Sequence, residues 1–212
     1  MSEQVLKKSG VVQKSRSKVQ IIAQVAMLGA IATVLMLFEF PIPFLAPPFY
    51  ELDFSEVPVL IGAFTMGPIA GIAIEAVKIL LNFVLNGTIT AGVGEIANFL
   101  FGCAFLLPAT LIYRRKKTRR NALLGMMAGT VLMTFLACVI NALVLLPAYG
   151  VAFGVPVQTF VEMGQSINGA IDSLFMFAVL AVGPFNLLKG ILISAIVFLL
   201  YKRIQVILRR NM

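Results

Sequence analysis

The chain has 212 residues, 60% of them hydrophobic and 12% charged, with a mean hydropathy of +0.99. A soluble domain of this length cannot hide so much apolar surface in one core, so the solvent this composition suits is lipid. The formal net charge of +8 would suit nucleic acid, but the basic residues stand in short clusters between apolar runs, as membrane topology is written, and nucleic acid is excluded as a partner. Cys103 and Cys138 are the only cysteines and histidine is absent, which excludes a disulfide scaffold and argues against metal or haem ligation.

Residues 1–18 read as a cytoplasmic basic segment, with Lys7, Lys8, Lys14, Arg16 and Lys18. The first apolar run, 19–38, is uncharged and of full length, so it is expected to stay as a span and not to be cleaved as a signal. Runs 57–74, 79–94, 96–113 and 121–161 are also uncharged, and 173–201 is interrupted only by Lys189. Roughly 20 apolar residues cross the hydrocarbon as a helix, and backbone groups in lipid must be satisfied internally, so these runs predict helices.

Charge sets the parity of the spans. The first basic cluster, the run Arg114, Arg115, Lys116, Lys117, Arg119 and Arg120, and the tail residues Lys202, Arg203, Arg209 and Arg210 are all expected on the cytoplasmic side. An even number of spans must separate each from the next. That requires 57–85 to be a hairpin broken at Gly67-Pro68, with a short second helix over about 56–66 and Ser55 as its N-cap. The fifth span is expected over 121–146 and the sixth over about 184–204, leaving 148–183 as a long outer segment that lies on the membrane surface or folds over the bundle. The expectation is thus an all-α integral membrane protein of six helices. Its membrane domain spans 19–204, both termini are cytoplasmic, 205–212 is a basic tail, and no internal inverted repeat is visible.

Several polar residues lie within these spans. Glu75, Lys78 and Asn82 share one face of the third helix, Glu95 and Asn98 start the fourth, Asn141 is in the fifth, and Asn186 and Lys189 are three apart on the sixth. Polar groups in lipid are expensive unless paired or facing a cavity, so they mark a functional interior. Glu75 with Lys78 reads equally as a structural ion pair, and the asparagines as interhelical glue. The first outer loop, 41–54, is rich in proline and carries Tyr50, Glu51, Asp53 and Phe54, which suit a ligand as well as an interfacial aromatic belt. The second, 86–94, is rich in glycine. On the first helix Ala26 and Ala30 form a small-xxx-small pair, with Ala23, Gly29 and Thr33 nearby, a pattern that admits close approach of another helix. There is no G-x-x-x-x-G-K-[ST] loop and no reactive constellation of an enzyme, which leaves a membrane binder without an ATPase of its own.

The run Glu51-Leu52-Asp53-Phe54-Ser55-Glu56-Val57-Pro58 is followed by Gly67-Pro68-Ile69-Ala70-Gly71, Lys78, Thr90-Ala91-Gly92-Val93-Gly94-Glu95-Ile96-Ala97-Asn98-Phe99 and Gly183-Pro184-Phe185-Asn186-Leu187-Leu188-Lys189-Gly190. Together these resemble the riboflavin-specific S components of energy-coupling factor (ECF) transporters, over nearly the whole of 19–203. The resemblance implies six helices in a prokaryotic cell membrane and capture of riboflavin from outside. It also implies docking onto a transmembrane coupling subunit driven by two cytoplasmic ATPases, with Ala26 and Ala30 on the docking surface. Asn141, Asn186 and Lys189 are implied flavin contacts, helped by Tyr50, Glu51, Asp53 and Phe54 of the first outer loop. Glu95, Asn98 and Lys78 are carried over as further candidates. No other cofactor is implied. The intramembrane charges, Glu75 and Glu95 against Lys78 and Lys189, nearly balance, which favours the neutral vitamin over its phosphate. A binder for another vitamin, such as thiamine or pantothenate, and an unrelated small channel or enzyme are the alternatives.

Overall fold

The computed structural model describes residues 18–88, 90 and 92–209, with side chains as far as Tyr201. The N-terminal basic cluster before Lys18 and the side chains of the basic tail lie outside the described residues.

Helix α1, Lys18–Leu37, buries Gly29, Ala32, Thr33 and Met36 and exposes Val19, Ile22, Met27 and Val34. Gly29 is where α1 meets the third helix: a Cβ there would come within 2.5 Å of the Val77 side chain. After a loop comes α2, Glu56–Met66, then Gly67 at φ 108°, a backbone that favours glycine, and α3, Pro68–Asn86, with proline in its first turn. The expected hairpin break is therefore present, and α2 is short. Its 11 residues rise roughly 16 Å, about half the hydrocarbon thickness.

Helix α4, Val93–Arg115, packs closely on α5, Arg119–Phe153. Gly125 and Gly129 of α5 allow this, because a Cβ at either would strike the backbone of Ala109 or Phe105. A short amphipathic helix, α6, covers Gln158–Ile167. Helix α7 begins at Leu174, passes a π-helical turn over Ala178–Val182 and continues as Gly183–Arg209. Five of these helices are long and apolar enough to cross a membrane, and α2 is the shorter sixth. The architecture is all-α apart from one ladder inside the first loop, where β1, Phe40–Pro41, pairs antiparallel with β2, Glu51–Leu52.

Two expectations about the C-terminal half are corrected. The fifth helix does not stop at Leu146 and the sixth does not start at Pro184. In α5 a π turn, Asn141–Leu145, ends two residues before Pro147, and in α7 the turn Ala178–Val182 ends two residues before Pro184. Proline lacks an N–H and its ring crowds the preceding turn. A turn closed by i→i−5 hydrogen bonds, Leu146 to Asn141 and Gly183 to Ala178, carries the helix past the obstruction. Residues 148–183 are therefore not one surface segment: both ends belong to spanning helices, with α6 between them. Ser55 is also reassigned. Its side chain makes no cap hydrogen bond, because the residue is itself helical at φ −62° and ψ −26°. Its backbone N–H instead donates to Asp53 Oδ1 at 2.7 Å.

The two ends of the bundle differ. At one, Tyr113 of α4 lies edge-on to Tyr201 of α7, and the Arg119 guanidinium covers the Phe198 ring at 4.0 Å. A Cβ on Gly67 would lie 3.5 Å from Arg114, so the α2–α3 turn is at this basic end too. The first loop and its acidic residues occupy the other.

Candidate functional site

At the acidic end the loop 39–53, the first residue of α2 and the inner faces of α4, α5 and α7 enclose a cavity of about 820 Å³, open mouth included. Each wall has a local cause. The β1–β2 ladder pins both ends of the proline-rich loop, which folds inward so that Tyr50 reaches Asn141. Tyr50 Oη donates to Asn141 Oδ1 at 2.6 Å, and Asn141 Nδ2 donates to the Ala137 carbonyl at 2.8 Å. Asn186 Nδ2 likewise donates to the Val182 carbonyl at 2.9 Å. Both asparagines thus border π turns, satisfying a backbone carbonyl four residues earlier while their amides line the cavity. The two turns pack on each other, and Cys138 Sγ, three residues before the first, donates to the Ala178 carbonyl of the second at 3.2 Å.

Of the residues expected at a site, Tyr50, Glu51, Asp53, Asn98, Asn141, Asn186 and Lys189 line this one cavity. Three others do not. Phe54 packs beside Phe40 and the core, with ring centroids 6.3 Å apart. Glu95 accepts hydrogen bonds from Thr88 and Thr90 and borders a separate apolar groove between α3 and α4. Lys78 is fully buried, 2.7 Å from both Glu56 Oε1 and Glu75 Oε1. That placement favours the structural ion-pair reading of Glu75 and Lys78, widened by a third member from α2.

The aromatic wall was not expected in full. Phe49, Phe101, Tyr149 and Phe185 line the cavity beside Tyr50. Phe49 lies 4.7 Å from Tyr50 and meets Tyr149 edge-on at 6.3 Å between centroids, and Tyr50 is 5.8 Å from Phe185. These rings pack on one another and together present an aromatic surface to the cavity. Glu39 and Glu56 were also missed as lining groups. Glu39 follows an apolar run with no partner visible by spacing, and only the folded loop brings it to Glu51.

Electrostatics at the mouth follow from this crowding. Lys189 Nζ donates to Asp53 Oδ2 at 2.7 Å. Burial works against the Asp53 charge, but Lys189, Lys78 and the hydrogen bonds from Lys189 and Ser55 overcome it and hold the carboxyl at about 2. Glu39 goes the other way. Burial, the Glu51 and Asp53 charges and a hydrogen bond with Glu51 push it from 4.5 up to about 7, against the pull of Lys189. The lining thus carries Glu39, Glu51, Asp53 and Glu56 against Lys189, and its own charge is acidic, not balanced. The expected balance fails because Lys78 is held by Glu56 and Glu75 below the lining, while Glu39, Glu51 and Asp53 of the loop and Glu56 of α2, which that count left out, join it.

A raised folded-state value means that protonated Glu39 contributes stability that is complete below pH 4.5 and is lost as pH rises through 7. Glu39→Gln removes that dependence. Thermal melts of the purified parent and variant should therefore diverge in the variant's favour as pH rises across this window, then run parallel. Melts that stay parallel throughout would show that Glu39 titrates normally.

Residues 20–201 match the family described as ECF transporter, substrate-specific component. The chain is 41% identical to the riboflavin transporter RibU of Staphylococcus aureus (strain TCH60) over 186 residues, 88% of this chain and 90% of that one. It is 35% identical to the riboflavin transporter FmnP of Bacillus subtilis (strain 168) over 189 residues, 89% of this chain and 93% of the other. A solved structure reported as the S component of a bacterial ECF transporter superposes with a TM-score of 0.72 at 38% identity, covering 91% of this chain and 99% of that chain. With a multi-helix apolar bundle, a cavity at one end and a match across both, this chain belongs to the substrate-specific components of ECF transporters.

Proposed function

We propose that this protein is the riboflavin-binding subunit of an ECF-type uptake system in a prokaryotic cell membrane. It takes the vitamin from outside and delivers it through a partner module. The observation that carries this reading is the cavity itself, in which an aromatic wall faces amides and carboxylates with no reactive constellation among them. Riboflavin presents a flat ring for the first, and a pyrimidine edge and a chain of hydroxyls for the second. The names of the relatives point to the same ligand. The chain is a binder and not an enzyme; ATP hydrolysis belongs to two cytoplasmic ATPases acting on a transmembrane coupling subunit.

Six spans, with α2 as a thin second one, place both termini in the cytoplasm. The clustering of the α2–α3 turn, the α4–α5 turn and the end of α7 at the basic end supports this orientation. In a variant lacking Cys103 and Cys138, single cysteines at the exposed Phe44 and Lys116 should react with an impermeant reagent from opposite sides of the membrane. Reaction of both from outside would break the six-span arrangement.

Docking uses the outer face of α1. Ala26 and Ala30 are exposed, whereas Gly29 and Thr33 beside them are buried against α3. The first pair is thus free for a partner helix and the second is spent within the bundle. Ala26→Trp with Ala30→Trp should abolish ATP-driven uptake while riboflavin binding by the isolated protein is kept. Uptake that survives both substitutions places the partner surface elsewhere.

Purified protein should bind one riboflavin and quench its fluorescence. Asn186→Ala or Lys189→Met should weaken binding by about 1–3 kcal/mol, the usual cost of orphaning a buried polar partner. FMN should bind more weakly still, since its phosphate would enter a lining with four carboxyl side chains and one ammonium. A parent that leaves riboflavin fluorescence unchanged would overturn the vitamin assignment, and FMN binding as tight as riboflavin would overturn the charge argument.

A further inference from the structure

Below the mouth of the cavity two carboxylates share one ammonium. Lys78 Nζ lies 2.7 Å from Glu56 Oε1 and 2.7 Å from Glu75 Oε1, and the three side chains are 0%, 3% and 0% exposed. Glu75 and Lys78 do not line the cavity, but Glu56 does. Its second oxygen, Oε2, is buried and has no hydrogen-bond partner in the protein. Gly102, also in the lining, leaves room for this arrangement, because a Cβ there would come within 2.6 Å of Glu75 Cδ and 3.0 Å of Glu56 Oε1. A desolvated carboxylate oxygen without a donor costs free energy, and more so in a protein interior than in water. The free oxygen belongs to a group in the cavity wall whose other oxygen is fixed by Lys78.

We infer that Glu56 is a ligand contact that accepts a hydrogen bond from an O–H or N–H of an uncharged ligand, and that Lys78 is the positioning residue that holds it toward the cavity. The inference rests on the riboflavin reading and adds to it the chemistry required at the cavity floor. Riboflavin has two sources of such a donor, the ribityl hydroxyls and the imide N3–H of the ring. Both are neutral donors, whereas a phosphate dianion brings only acceptors and charge of the wrong sign. Glu75 lies 2.7 Å from the same ammonium without touching the cavity.

The experiment is a set of fluorescence-quench titrations on the detergent-purified full chain. Parent, Glu56→Gln and Glu75→Gln are each titrated with riboflavin, with lumiflavin, which lacks the ribityl chain, and with N3-methylriboflavin, which lacks the imide hydrogen. Glutamine keeps the length and a carbonyl for Lys78, but turns a donor toward the cavity. Glu56→Gln should weaken riboflavin about 10- to 100-fold, the range for a hydrogen bond to a charged group, with a smaller loss for Glu75→Gln, which reaches Glu56 only through Lys78. The loss should vanish for one analogue: for lumiflavin if the donor is a ribityl hydroxyl, for N3-methylriboflavin if it is the ring imide. If Glu56→Gln does not fold, Glu56→Asp, which keeps the charge for Lys78 but withdraws the free oxygen by one methylene, must show the same ligand-selective loss. An equal loss for all three ligands, or no loss for riboflavin, overturns the inference while the vitamin assignment stands. A parent that does not bind riboflavin overturns both.

Discussion

The Lys78 ammonium is the point on which four helices converge. It extends from α3 to Glu56 at the start of α2 and pairs with Glu75 one turn earlier on its own helix. Gly102 of α4 makes space for the two carboxylates, and the Lys78 backbone carbonyl accepts from Thr33 of α1 at 3.4 Å. In a bundle surrounded by lipid there is little hydrophobic force between helices, because lipid tails are as apolar as leucine. Close packing and a few buried polar contacts must do the joining, and removing one member leaves an uncompensated charge that costs several kcal/mol. This tie adds to the one-residue turn at Gly67 and to the packing of Val59, Leu60 and Ala63 in holding the short α2 beside α3.

The same constraint explains the two π turns. Pro147 and Pro184 would each open a gap in the helical hydrogen bonding, and lipid offers no water to fill it. A wider turn carries the chain past each proline. The two turns pack on each other, and the Asn141 and Asn186 amides, which donate to the Ala137 and Val182 carbonyls, line the cavity beside them. The loop above completes the enclosure: its prolines and the β1–β2 ladder limit its freedom, so Tyr50 is held against Asn141 with little further ordering required.

Much of the fold was legible in the chain because it follows from one-dimensional rules. Apolar run length and the placement of basic clusters gave the all-α membrane class, and parity required the break at Gly67-Pro68 that the structure contains. Seven of the ten residues expected to contact a ligand line one cavity: Asn98, Asn141, Asn186 and Lys189 are polar side chains within apolar helices, which must pair or face a cavity, and Tyr50, Glu51 and Asp53 come from the loop that covers it. The errors have a common origin. Reading Pro184 as a helix start and Leu146 as a helix end applied the rule for an α-helix, whereas a π turn lets the helix pass a proline. Phe54, expected with its loop, and Lys78 and Glu95, implied by the resemblance, lie outside this cavity, because motif and order along the chain do not say which face of an element meets which neighbour.

The sequence by itself determined that the chain lives in lipid, that its basic clusters are set apart from its acidic loop, that α2 is short, and that polar groups lie within the bundle. These are properties of composition and order, and they hold for any packing of the helices. Only the tertiary structure decided which charges meet. Three acidic residues from the loop and one from α2 share the cavity lining with one lysine, because Lys78 is taken by Glu56 and Glu75 while Lys189 bridges to Asp53, 136 residues away. Coulomb energy depends on distance and on local dielectric, and neither is written in the order of residues. The acidic character of the cavity therefore emerges only when the helices are side by side.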